Sequence, residues 1–140
     1  MSLTVSTLSR REVVTHGAAG FPRARSLQRW HDTLNEEEGA TPVALGLLDG
    51  GILVAVLLAT CSRKRARCVA LEVGRGVEID VATYLLATAF AEQSDRDSVK
   101  DCVFELAPLH RSVESALGVL GATPTPVPTP VPSNQPRPLR

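Results

Sequence analysis

The sequence predicts a layered domain of the α+β or α/β class, a mixed sheet with helices on its faces, followed by a proline-rich extended C-terminal tail. Three observations carry this. The stretch "TPVALGLLDGGILVAVLLATC" holds two apolar, β-branched runs separated by Asp49-Gly50-Gly51, a strong hairpin signal. The strand-like "CVALEV" then breaks at Gly74-Arg75-Gly76 and resumes with Val81, Leu85, Leu86 and Ala89 or Phe90 at helical spacing. From Thr123 onward, seven of the ten prolines fall in eighteen residues, a composition that favours polyproline II over any packed element.

The elements follow in order. Leu3–Leu8 alternates as a short strand. Ser9, followed by Arg10, Arg11 and Glu12, has the form of a helix N-cap, and that helix ends near Gly17. Gly20, Pro22, Arg23 and Arg25 make a connection to a second helical piece over 26–34, which carries Trp30 inward or outward. Glu36, Glu37, Glu38 and Gly39 read as a solvated acidic loop. Strands are expected at 42–48 and 51–60; the second is apolar at consecutive positions, so both its faces are covered and it lies centrally. The basic hexapeptide "SRKRAR" is expected at the tip of a second hairpin whose return strand is "CVALEV". A helix follows from Asp80 to about Gln93, with Asp80 as its cap. After the polar break "SDRDS" come a strand in "KDCVFELAPL", ended by Pro108, and a short helix in "HRSVESALGVLGA", stopped by Gly121. The expected division is one domain over 1–122 and a tail over 123–140.

Bulk composition narrows the function. Fifteen basic residues balance fifteen acidic ones, so no global field draws the protein to nucleic acid or an anionic membrane. The longest apolar run, Gly51–Thr60, is too short to span a bilayer, and the N-terminal stretch lacks a signal-peptide core, which places the expected location in the cytoplasm. Cys61, Cys68 and Cys102 are odd in number and lack metal-ligand spacing, so they read as small core residues and no metal is expected.

The chemistry concentrates at the glycine turn. A strand–glycine turn–helix junction exposes backbone N–H groups at the positive end of a helix dipole, where a phosphate is favoured; the same glycines also serve simply to make the turn. Glu72 is either a general base near the strand end or a polar residue alternating with Leu71 and Val73. Glu78 can orient Arg75, act as a base, or merely favour the first helical turn. His110 has the neutral-range chemistry of a proton shuttle, or caps a helix. Arg63, Lys64, Arg65 and Arg67 can contact phosphates of a nucleic acid or a phosphopantetheine arm, but without interleaved aromatics a solvated hairpin tip is the simpler reading. His16 and His31 have no visible partner.

From Ala66 onward, "ARCVALEV", "GVEIDVATYLLATAFAE", "DCVFELAP" and "HRSVESALGVLGA" resemble, in order and pattern over about residues 40–122, the central strand, loop and helix, next strand and closing helix of the GNAT superfamily of acyl-CoA transferases. The resemblance implies an α+β GNAT-like mixed sheet with helices on both faces. It also implies that acyl-CoA, or an acyl-phosphopantetheine arm, binds along the 74–82 turn through Val73, Gly74, Arg75, Gly76, Val77 and Ala82. Glu72, Glu78 and His110 are then the catalytic candidates. Within the superfamily, "GRGVE" at 74–78, after Cys61-Ser62-Arg63, is similar to the C-terminal domain of FkbH-type proteins, which implies an acyl carrier protein as partner and a polyketide-type pathway.

The chain also departs from the superfamily. Its loop has the form Q/R-x-x-G-x-G/A, and the gapless register places Val77, Asp80 and Ala82 at the defining positions, of which only Ala82 fits. Leu117 falls where many active members carry a proton-donating tyrosine, and Ala122 where they carry an aromatic residue. Two functions follow as expectations: an acyltransferase-type domain, or a non-catalytic GNAT-like accessory or interaction module whose proline tail recruits a partner.

Overall fold

The computed structural model describes residues 2–63, 65–97, 99, 101–106, 113 and 116–118. The order is β1 (Leu3–Thr7), α1 (Arg10–Ala18), α2 (Ala24–Glu36), β2 (Thr41–Asp49), β3 (Ile52–Cys61), β4 (Arg65–Val73), α3 (Ile79–Arg96) and β5 (Asp101–Phe104). The strands form one sheet in the order β1-β2-β3-β4-β5, antiparallel from β1 to β4 and parallel between β4 and β5. Val113 and Ala116–Gly118 are helical; the proline-rich tail lies outside the described residues.

Local chemistry accounts for most boundaries. Ser9 caps α1 through a capping box: its hydroxyl accepts the Glu12 N–H at 3.1 Å, and the Glu12 carboxylate accepts the Ser9 N–H at 2.8 Å. Those bonds hold the Glu12 carboxyl below its ordinary range. Gly50 and Gly51 take φ of 60° and 90°, the left-handed pair that a two-residue hairpin between β2 and β3 requires. β3 is buried along most of its length, because it is central and both its faces are covered.

The two faces make two cores. Leu45, Leu47, Leu57 and Cys68 pack against Ala82, Leu86 and Phe90 of α3. On the other side Val56, Leu58 and Val69 pack against Val13 of α1 and Trp30 of α2. Trp30 therefore points inward, and its indole N–H donates to the Ala59 carbonyl at 2.7 Å, satisfying the one polar group its burial would strand.

The structure departs from the sequence expectations at four places. β4 starts at Arg65, so Arg65, Ala66 and Arg67 belong to the strand and not to the hairpin tip; Lys64 lies outside the described residues. α3 starts at Ile79 with Glu78 as N-cap, so Asp80 stands in the first turn instead of capping it. Of the cysteines only Cys68 is a core residue, its thiol pushed up by burial; Cys61 is half-buried and Cys102 exposed. The acidic loop is not wholly solvated, because the carboxylate of Glu37 is paired to Arg67 at 3.1 Å.

Candidate functional site

The site begins where β5 leaves β4. The two strands pair only from Arg65–Asp101 to Cys68–Phe104, and the last bond runs from the Glu105 N–H to the Cys68 carbonyl at 2.8 Å. Beyond it, Val69–Val73 keep β3 on one edge and, among the described residues, have no strand partner on the other. Val69 is an extra residue in β4: Leu58 faces Ala70 while Ala59 faces Cys68. Such a bulge bends the strand at the point where its partner departs. At the strand end the Gly74 N–H donates to the Val54 carbonyl of β3 at 2.7 Å. Alternation along the strand then turns the N–H groups of Val73 and Leu71 to the unpaired edge.

Gly74 is held by close approach: a Cβ there would lie 3.1 Å from the Val54 carbonyl oxygen and 3.8 Å from the Phe21 ring. Gly76 is held by conformation, with φ of 92°. Together they turn the chain through exposed Arg75 into α3. Gly76, Val77 and Glu78 line a groove of about 520 Å³ with Leu3 and Val81. Ala82 is fully buried, and its N–H closes the first helical turn on the Glu78 carbonyl at 3.0 Å. Asp80 uses its own carboxylate to accept the Val81 N–H at 2.9 Å, occupying one donor at the α3 N-terminus. The turn thus gathers Val73 to Val77 in one place but sets two carboxylates, Glu78 and Asp80, beside it.

Glu72 projects to the opposite face from Leu71 and Val73. Its carboxylate accepts the Arg23 N–H at 3.0 Å and lies 3.9 Å from the Arg23 guanidinium, tying the α1–α2 connection to the end of β4. The Glu72 side chain is 13% exposed, so it is largely shielded from solvent. His110 lies outside the described residues. Leu117 is buried against Val113 and Ala87, in a small apolar cluster that Leu71, Ile79, Phe104 and Leu106 complete.

Sequence reasoning missed the group that holds this junction together. Arg67 donates from Nε and Nη2 to the two carboxylate oxygens of Glu105, each at 2.8 Å, and from Nη1 to Glu37 at 3.1 Å. Arg29 of α2 donates to the Glu105 carbonyl at 2.9 Å. Arg67 holds the Glu105 carboxyl below its ordinary range, and Glu105 raises the Arg67 guanidinium in turn. The available signal was the last arginine of the basic run, directly before "CVALEV", with a glutamate just past the next strand. Nothing in periodicity links residues 38 apart. Among the described residues, no group of three His, Cys, Asp or Glu side chains converges to hold a metal ion, and no helix is long and apolar enough to cross a membrane.

The mixed five-stranded sheet with helices on both faces matches the GNAT fold, which solved acetyltransferase structures share. No protein-family model matches the sequence, and no curated protein matches it in sequence. Solved structures match the fold. Ribosomal-protein-alanine N-acetyltransferase from Brucella melitensis biovar Abortus 2308 superposes with a TM-score of 0.60 at 14% identity, over 88% of this chain and 93% of that one. AAC(6')-Iy in complex with the bisubstrate analogue CoA-S-monomethyl-acetylneamine gives 0.64 at 7% identity, over 91% and 95%. A putative acetyl transferase from Pyrococcus furiosus gives 0.61 at 12% identity, over 90% and 96%.

Proposed function

We propose that this chain is an acyltransferase-like domain that takes its acyl group from acyl-CoA, or from the phosphopantetheine arm of a carrier protein, bound along the β4 edge and the 74–82 turn. The observation that carries the reading is the edge of β4 over residues 69–73, which has no strand partner among the described residues. Its outward N–H groups at Leu71 and Val73 suit the amide and thioester carbonyls of a pantetheine arm, much as an added strand pairs with a free sheet edge. The thioester supplies an activated acyl carbon. This chain's part is to align it, to offer N–H donors where negative charge develops on the carbonyl oxygen, and to take a proton from the acceptor. Arg75 is the cation available to a phosphate at the turn, and Glu72, oriented by the Arg23 N–H, is the candidate base.

The phosphate end of the site fits less well than the edge. Glu78 and Asp80 place negative charge at the α3 N-terminus, and Asp80 consumes the Val81 N–H. With Leu117 buried in an apolar cluster, these residues favour the second reading: a non-catalytic member of the fold that keeps the sheet and serves as an interaction module. Calorimetric titration with CoA, acetyl-CoA and a phosphopantetheinylated carrier protein, repeated with Arg75→Ala, separates the two. Micromolar binding that weakens in the variant supports the acyl-donor site. Binding of the carrier protein but not of CoA supports the FkbH-type link. No heat from any of the three leaves the non-catalytic module.

A further inference from the structure

We infer that the groove between α2 and the β4–β5 junction is the acceptor site of this domain, and that it takes an α-amino acid carrying a second, distal cationic group; this rests on the acyl-transfer reading above. The groove has a volume of about 600 Å³, and its charged lining is Arg25, Arg29, Asp32 and Glu36 of α2 with Arg67 and Glu105 of the sheet. The four α2 residues recur at i, i+4, i+7 and i+11, so one helical stripe supplies them.

Their order runs against the helix dipole. α2 has no acidic residue in its first turn, no basic residue in its last turn and no side-chain cap, while Arg25 stands near its start and Glu36 at its end. Anionic groups are favoured at a helix start and cationic ones at its end, so this arrangement opposes local stability. Local choices that oppose the fold concentrate at functional sites. The sheet side of the groove is fixed: Arg67 is committed to Glu105 and Glu37, and Arg29 is anchored on the Glu105 carbonyl. Arg25 and Glu36 have no side-chain partner among the described residues, and Asp32 accepts only from Gln28, at 2.8 Å.

The direction of α2 assigns the ends. Its start is tied to Glu72 through Arg23, Arg29 meets Glu105 where β5 departs, and Glu37 meets Arg67 over the paired part of β4. The basic half of the groove therefore borders the free β4 edge, and the acidic half lies farther from it. An acceptor whose amine reaches the thioester has its neighbouring carboxylate beside Arg25 and Arg29. A distal ammonium or guanidinium group then lies towards Asp32 and Glu36, about 10 Å along the helix from Arg29 to Glu36. In the transfer the amine nitrogen bonds to the thioester carbonyl carbon, the carbon–sulfur bond breaks, and one amine proton ends on the thiol, so the step is redox-neutral.

The test is calorimetric titration of the full chain, with and without saturating CoA, using L-lysine, norleucine, which lacks the distal cation, and cadaverine, which lacks the carboxylate. Lysine is expected to bind about tenfold more tightly than either, the scale of one charge-assisted contact. Glu36→Gln should reduce the preference over norleucine, Asp32 remaining, and Arg25→Gln the preference over cadaverine, Arg29 remaining; both substituted side chains are exposed, so the fold is unaffected. Equal affinity for the three ligands, or preferences unchanged in both variants, overturns the inference. CoA binding with no amino-acid binding also overturns it while leaving the acyl-donor reading intact. Lysine selectivity without CoA binding supports the groove as a ligand site and counts against the acyl-transfer reading.

Discussion

Replacing Arg67 by methionine should destabilise this fold well beyond an ordinary surface substitution, although the residue lies in what reads as a solvated basic run. The guanidinium makes two parallel 2.8 Å bonds to Glu105 and a third, at 3.1 Å, to Glu37. The three side chains are 24%, 30% and 26% exposed, so the cluster lies between a surface pair and a buried one. Exposed pairs contribute about 0.2–1 kcal/mol, and breaking a buried pair costs about 3–5 kcal/mol. An intermediate loss of roughly 2–3 kcal/mol follows, because methionine keeps the stem's packing but leaves two carboxylates facing each other. In a domain of this size that is a fall in Tm of about 10 °C. Urea denaturation of Arg67→Met, Glu105→Gln and the double variant measures the coupling directly. A coupling below about 0.5 kcal/mol would refute the reasoning and class the cluster with ordinary surface pairs. Arg67→Lys should recover only part of the loss, since an ammonium cannot reproduce the parallel pair.

Two further outcomes are expected. Because Arg67 lowers the folded-state value of Glu105 below its ordinary 4.5, the pair's stabilisation is fully present above that value and disappears as pH falls through the lowered one. Tm curves of the wild type and Glu105→Gln should therefore stand apart near neutrality and converge at the acid end; parallel curves down to pH 2 would contradict this. Glu12, lowered by Ser9, titrates in both proteins and does not disturb the comparison. At the turn, Asp80→Asn removes a screened repulsion of about 1 kcal/mol towards a bound phosphate, so CoA affinity should rise about fivefold. An unchanged dissociation constant in Asp80→Asn would mean that no phosphate approaches the α3 N-terminus.

Features that depend on neighbours within a few residues are written directly in the amino-acid order. Ser9 and Glu12 form their capping box three positions apart, and Gly50-Gly51 set the hairpin because only their left-handed conformation returns the chain in two residues. The consecutive apolar positions of β3 located it centrally, and the helical spacing from Val81 onward located α3 to within a turn. These are short-range rules, and the order of elements follows from them. Where residues distant in sequence meet is set by the folded chain as a whole. Glu72 turned out to hold the Arg23 N–H, 49 residues away, and Arg67 left the hairpin tip to bind Glu105. Asp80 became its own helix's first-turn acceptor once Glu78 took the cap. The β4 edge, unpaired among the described residues, was invisible for the same reason: the β4–β5 register ends at Cys68 and Val69 bulges, and both are properties of how strands meet. Side-chain periodicity encodes which face of an element is buried, but not which partner covers its edge, and the candidate site of this protein is an edge.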